Sequence, residues 1–213
     1  PKGFEQIVYD VLANTQDMNI IEKPEPEDTP FYINNGTINV GNTNGKVILQ
    51  TFSLESLVRV AEVFQGKVPM CFLLWKGTGA TDLTYDDPLG YASFINLGVK
   101  YKAHFIGPCI AGAPNDYPEL DQPWQDYLIH RAKMKNHPYT FDTYDQMAKY
   151  FGQYNFGVAD GMFNPPYLDA LFTNHSDMSI NYMITHGWRK SPASQTLVDA
   201  REVLRKLGYL DNN

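Results

Sequence analysis

A chain of 213 residues that is 43% hydrophobic and 19% charged carries enough apolar material for one sizeable core, which excludes a disordered segment and predicts a single domain over residues 1–213. Its 12 Phe, 14 Tyr and 3 Trp would be costly to leave in water, and Tyr and Trp also need a polar partner at one end, as in the wall of a cleft. A net charge of -7 argues against a nucleic-acid partner, which would require a basic stripe to displace counterions, and no apolar run is long enough to span a membrane.

Phe4, Ile7, Val8, Val11 and Leu12 fall on one face of a helix, so the pattern opens on a helix. From about Thr15 to Gly45 it dissolves into a polar, Pro- and Asn-rich connection, of a length usual for a functional loop or mobile segment. Lys46 to Phe52 reads as a buried strand, and Ser53 caps a helix carrying Leu57, Val60, Ala61 and Phe64. The unit repeats with a strand from Val68 to Trp75, a Gly-rich acidic loop, and a helix opening at Asp87-Pro88 and stopping at Gly98. His104 to Gly107 is a brief strand, followed by a helix from near Pro123 with Trp124, Tyr127, Leu128 and Ala132 on one face. Asn136 to Phe141 is another strand, with Asp142 capping a helix through Tyr150, and Asp169 to Thr173 is the last strand. Helices from about Asp177 to His186 and Ser194 to Leu207 complete the pattern, with Gly187 and Gly208 at helix-stop positions.

Alternating strands and helices imply a parallel sheet with helical crossovers. Two α/β architectures fit: an open parallel sheet, and a (β/α)8 TIM-type barrel of which this chain supplies roughly the last five strands. The helix at the start places the remaining strands upstream. No leader peptide is visible, and a chain that begins at Pro1 can already have lost one.

Several segments, in order, resemble the glycerophosphodiester phosphodiesterase family, and its periplasmic or secreted members in particular. Pro1-Lys-Gly-Phe-Glu-Gln-Ile-Val8 is similar to the helix after the family's E-x-K strand. Val47-Ile-Leu-Gln-Thr-Phe52 with Ser53, Ser56 and Leu57 resembles its QSF…SL segment. Asn136-His-Pro-Tyr-Thr-Phe-Asp142 resembles its HPWTVN strand, and Asp169-Ala-Leu-Phe-Thr-Asn174 with Asp177 its DGIFTDFPD segment, with Ile106-Gly-Pro108 between them. The resemblance implies a barrel that hydrolyses small-molecule glycerophosphodiesters to an alcohol and glycerol 3-phosphate, with Ca²⁺ or Mg²⁺ on acidic ligands and histidines as acid and base. The family's H-R-G, E-x-D, H-D and E-x-K elements have no counterpart here, so no catalytic or metal-binding residue carries over and an N-terminal barrel half is needed.

What carries over is part of the cleft wall. Side chains at the C-terminal ends of barrel strands face the site, which brings in Gln50, Phe52, Trp75, Lys76, Tyr139, Thr140, Phe141, Thr173 and Asn174. Strand alternation turns only about half of these inward. Gln50, Trp75 and Tyr139 are the chosen substrate-binding candidates.

His137, before Pro138 at a strand start, reads as a hydrogen-bonded structural residue, and His104, His130, His175 and His186 have no metal-ligand spacing. Asp82, Tyr85, Asp86 and Asp87 read as a solvated acidic loop with an N-cap, and Gly77-Thr-Gly79 lacks the ending of a phosphate loop. Cys71 and Cys109, in apolar runs, are expected as buried free thiols. Asn35-Gly-Thr and Asn174-His-Ser fit the glycosylation acceptor pattern.

Overall fold

The computed structural model describes residues 3–14, 33–34, 37–38, 47–65, 68–75, 87–154, 168–187 and 205. Outside them lie Lys46, Lys76, the loop with Gly77, Asp82 and Asp86, Asn35 and Gly36 of the acceptor site, all of the Ser194–Leu207 helix but Arg205, and Gly208, as well as most of the Thr15–Gly45 connection. Within that connection two short strands, β1 (Ile33–Asn34) and β2 (Thr37–Ile38), pair antiparallel.

The fold is α/β, built on a parallel four-stranded sheet. Its strands are β3 (Leu49–Thr51), β4 (Met70–Leu74), β5 (Phe105–Pro108) and β6 (Lys135–Asn136), adjacent in chain order. Helices α2 (Leu54–Phe64), α3 (Pro88–Lys100) and α4 (Pro123–Arg131) cross between them. Alternation along β4 sorts the two faces. Met70, Phe72 and Leu74 pack with Leu57 and Phe64 of α2, Phe94 of α3 and Ile129 of α4. Cys71 and Leu73 join Phe105 on the opposite face. All three crossover helices therefore cover one side of the sheet.

Local chemistry explains the element ends. Ser53 accepts from Ser56 N at 3.2 Å, and Asp87 accepts from Gly90 N at 2.8 Å with Pro88 in the first helical turn. Gly98 does not stop α3, which runs to Lys100. A Cβ at 98 would sit 3.0 Å from Ile106 Cδ1 and 3.2 Å from Met134 Cε, so the glycine lets the helix lie close against the sheet.

The helix α1 (Phe4–Asn14) turns a different face inward from the one its apolar pattern predicts. Phe4, Ile7 and Val11 are 75%, 50% and 59% exposed, while Val8, Tyr9 and Leu12 pack against the core. The reason is polar. Glu5 accepts from Ser56 Oγ at 3.1 Å and Arg59 Nε at 2.9 Å, which directs the face of Glu5, Val8, Tyr9 and Leu12 at α2. Tyr9 meets Phe64 edge to face, with ring centroids 5.3 Å apart.

The predicted strand Asn136–Phe141 is regular only at its start. Pro138 has no N–H to give to a ladder, and pairing resumes as a single bridge between Cys109 and Tyr139. Nor does Asp169–Thr173 form a regular strand, although it runs alongside: Asp169 N bonds Asn136 O at 3.1 Å and Phe172 N bonds Pro138 O at 2.9 Å. Here Asn136 N donates to the Asp169 carboxylate at 2.8 Å, where a regular parallel ladder would use a backbone carbonyl.

Thr143, not Asp142, caps α5 (Tyr144–Met147), in a reciprocal box with Gln146; the helix continues as a π-helical stretch, Ala148–Gln153. A second apolar cluster joins Phe141, Met147, Tyr150 and Phe151 to Tyr182 of α6 (Ser176–Thr185), which ends before Gly187 at φ 75°. On α4 it is Ile129, with Gln125 and Asp126, that is fully enclosed, while Tyr127 is 36% exposed. Among the described residues no helix is long and apolar enough to cross a membrane.

Candidate functional site

A hollow of about 210 Å³ opens at the C-terminal ends of the strands, on the side away from the crossover helices. Phe52, Leu73, Tyr139 and Phe172 give it apolar and aromatic surface. Gln50, Thr140, Thr173 and Asn174 give it amides and hydroxyls. Register explains the grouping: Gln50 pairs with Cys71 and so shares its face, and Leu73, two residues on, lies on that face too.

Close approach at this face depends on Gly107, which pairs with Leu73. A Cβ there would lie 2.7 Å from Leu73 Cδ2, 2.8 Å from Cys71 Sγ and 3.0 Å from the His137 carbonyl. The mouth of the hollow carries a row of rings. Phe52 meets Tyr139 at 5.7 Å, Tyr139 meets Tyr117 at 6.0 Å, and Tyr117 meets Trp75 at 6.3 Å, each pair edge to face. Tyr117 arrives on a loop held by Asn115, whose Nδ2 donates to Thr140 O at 2.7 Å.

Of the chosen candidates, Gln50 and Tyr139 line the hollow. Trp75 does not; it stands beside the mouth, 41% exposed, as the end of the ring row. The Tyr139 hydroxyl donates to Leu74 O at 2.9 Å, and burial raises its pKa above the usual phenol range, so the residue offers its ring rather than an acid or base. Phe52, Thr140, Thr173 and Asn174, named with the wider strand ends, also line the hollow. Phe141 is enclosed in the second cluster instead. Leu73 and Phe172 were not anticipated, because a buried apolar run does not reveal which of its faces borders a hollow.

At the rim, Asp142 Oδ1 accepts from Asn174 N at 2.8 Å and Oδ2 from Asn174 Nδ2 at 2.9 Å. This tie joins the ends of the two neighbouring extended segments and fixes the orientation of Asn174. The nitrogen that a glycan would occupy is the one bonded to Asp142.

His104 and His137 are buried, whereas His175 and His186 are exposed. His104 Nδ1 accepts from Met70 N at 3.1 Å, and burial lowers its pKa to about 4. His137 is enclosed between the Phe105 and Phe172 rings, and its pKa is likewise lowered to about 4, chiefly by burial. His130 belongs to a network below the hollow. Its Nδ1 is 3.1 Å from Asp126 Oδ2 and its Nε2 is 2.8 Å from Asp169 Oδ2, while Lys135 Nζ lies 3.2 Å from Asp169 Oδ1. Asn136 Nδ2 donates at 2.8 Å to both Asp121 and Asp126. Burial opposes a charged His130, but bonds to the two carboxylates outweigh it and raise the pKa to about 10. Burial also raises Asp126 to about 6 and holds Asp121 well above the carboxylate range. The i, i+4 spacing of Asp126 and His130 was visible in sequence; the third member, Asp169, is brought in only by tertiary structure.

Hard divalent cations take several oxygen ligands, carboxylates foremost. Among the described residues the hollow lining has no carboxylate, and no group of three or more His, Cys, Asp and Glu is arranged to hold a metal ion. These residues do not fit Ca²⁺ or Mg²⁺. Cys71 and Cys109 are free and buried; burial raises both thiols, Cys109 to about 12, so neither is a poised nucleophile. What the site offers chemically is neutral hydrogen bonding beside aromatic surface.

No protein-family model matches this chain, and no curated protein matches it.

Proposed function

We propose that this chain is the C-terminal wall of a (β/α)8 barrel phosphodiesterase that hydrolyses glycerophosphodiesters to an alcohol and glycerol 3-phosphate. The observation that carries the reading is the winding of the sheet: parallel strands in chain order, crossover helices on one face, and a hollow at the strands' C-terminal ends on the other. Barrel enzymes place their sites at those ends. A doubly wound sheet reverses its strand order and carries helices on both faces.

The position of α1 adds support. It packs on α2, where the helix of a preceding βα unit would lie, and further parallel strands would then pair with β3. The ordered sequence resemblance supplies the reaction and, with it, a periplasmic or secreted setting. The divalent cation that the resemblance implies would neutralise phosphate charge, on ligands supplied by the N-terminal barrel half. The described residues position substrate: Gln50 and the neighbouring hydroxyls hydrogen-bond it, Tyr139 and Phe52 pack on it, and Trp75 borders the entrance.

One observation favours a second reading, a non-enzymatic binding unit or catalytically incompetent barrel fragment: among the described residues that line the hollow there is no carboxylate, imidazole or thiol. Intact mass together with glycerol 3-phosphate release from glycerophosphocholine, with Ca²⁺ or Mg²⁺ and then chelator, separates the two. A native protein heavier than 24.2 kDa with chelator-sensitive turnover supports the hydrolase. Absence of turnover in that longer protein supports the binding unit.

A further inference from the structure

We propose that Tyr117 is a further substrate-binding residue, a ring held ready at the mouth of the hollow, and that Glu119 is the positioning residue that keeps it there. The inference deepens the reading above and rests on it in identifying the ligand as a glycerophosphodiester. The connection from β5 to α4, residues 109–122, is longer than most in compact domains, and loops of that kind usually carry function. From Gly112 to Pro118 every residue but Asn115 is exposed, so this part of the loop adds little to the core; Leu120 is the first to be enclosed.

Several elements nevertheless fasten the loop. Gln146 Nε2 of α5 donates to Gly112 O at 3.0 Å, and the Tyr91 hydroxyl of α3 donates to Leu120 O at 2.8 Å. Asn115 ties it to the carbonyl of Thr140, which lines the hollow. Glu119 Oε2 accepts from Lys149 Nζ at 2.7 Å and from the Tyr150 hydroxyl, both on the π-helical stretch, while Oε1 accepts from Asp121 N at 3.2 Å. Ordering an exposed loop costs backbone entropy, and these bonds offset it without burying apolar surface. Their effect is to fix what the loop presents, Tyr117, whose ring centroid lies 6.0 Å from that of Tyr139 in the hollow's wall. Pro118 alone separates Tyr117 from Glu119, and its fixed φ passes the hold on Glu119 to the ring. A ring fixed before binding has little freedom left to lose when substrate packs on it. Its face accepts either C–H surface or a cation on the substrate's alcohol.

Kinetics of glycerophosphocholine hydrolysis by the longer native protein, with calorimetric binding of the same diester, test both residues. Tyr117→Ala should raise KM and Kd about fivefold, the loss of one aromatic contact, with kcat unchanged because the contact is made equally before and during the reaction. Tyr117→Phe keeps the ring and should restore most of that loss. Glu119→Gln and Lys149→Met should each raise KM by a smaller factor, and neither should add to Tyr117→Ala in a double variant, because both act through the ring. Full additivity in variants that are folded by circular dichroism would overturn the role of Glu119. Turnover with KM unmoved by Tyr117→Ala overturns the role of Tyr117 and leaves the hydrolase. Diester binding that Tyr117→Ala weakens, without turnover in the parent, overturns the hydrolase and leaves Tyr117 as a binding residue. A parent that neither binds nor hydrolyses the diester overturns both.

Discussion

Asp169 Oδ2 lies 2.8 Å from His130 Nε2, and this bond fastens α4 to the start of the extended segment whose other end supplies Phe172, Thr173 and Asn174 to the hollow. With Asp126 on the other ring nitrogen, both nitrogens must donate, so the imidazole is held as a cation between two carboxylates. His130→Ala would leave Asp126 and Asp169 buried without it, at a cost of about 3 to 5 kcal/mol. Urea denaturation should show a lowered midpoint with an unchanged slope. A midpoint within error of the parent would remove the network from the account of stability.

The same network sets a pH dependence of definite sign. His130 rises from 6.5 to about 10 in the fold, so its contribution is complete below pH 6.5 and is lost as pH climbs through about 10. Asp126, raised from 3.8 to about 6 chiefly by burial, acts in the same direction lower down: its contribution is lost as pH rises from about 4 through 6. Asp169 is opposite. His130 and Lys135 outweigh burial and lower its pKa, so its contribution is present above 3.8 and is lost as pH falls through the folded value. Melting temperature should therefore fall between pH 6.5 and 10, and His130→Gln should flatten that slope. Parallel curves for the two proteins would refute the assignment.

Two glycines give contrasting expectations. At Gly107 a methyl group would meet the His137 backbone carbonyl at 3.0 Å as well as two side chains, and backbone cannot give way cheaply, so Gly107→Ala should cost about 1 to 3 kcal/mol. At Gly98 the neighbours are the flexible ends of Ile106 and Met134, and alanine gains about 1 kcal/mol of helix propensity. Gly98→Ala should therefore be near neutral. Paired chemical denaturation curves decide, and equal costs at the two sites would contradict the packing argument.

How much of this was legible in sequence follows from the range over which each signal acts. Ser53 and Asp87 cap as predicted because a cap is decided within a few residues. The parallel run of strands with helical crossovers followed from alternation, and the strand-end rule brought Gln50 and Tyr139 to one hollow, although it also selected Trp75, which does not line it. The faces of α1 were misjudged because Glu5 is drawn to Arg59, a partner more than fifty residues away. Asp142 looked like a cap by position, but Thr143 forms the box with Gln146, and Asp142 turns to Asn174 across the rim. The irregular ladder at Asn136 likewise depends on a distant carboxylate, that of Asp169.

The Asp142–Asn174 tie yields a prediction that separates rim geometry from fold stability. Both bonds are exposed, so Asp142→Ala should cost only about 1 kcal/mol in a thermal or urea melt. Its local effect should be larger, since it frees the Asn174 amide and the backbone beside Thr173, both at the hollow. Amide exchange at Asn174 should accelerate in the variant while exchange along β4 is unchanged, because β4 lies wholly in the core. The conservative Asp142→Asn retains one acceptor and should be intermediate. Unchanged exchange at Asn174 in both variants would mean that the rim is held by its backbone neighbours, Thr173 and His175, rather than by the carboxylate.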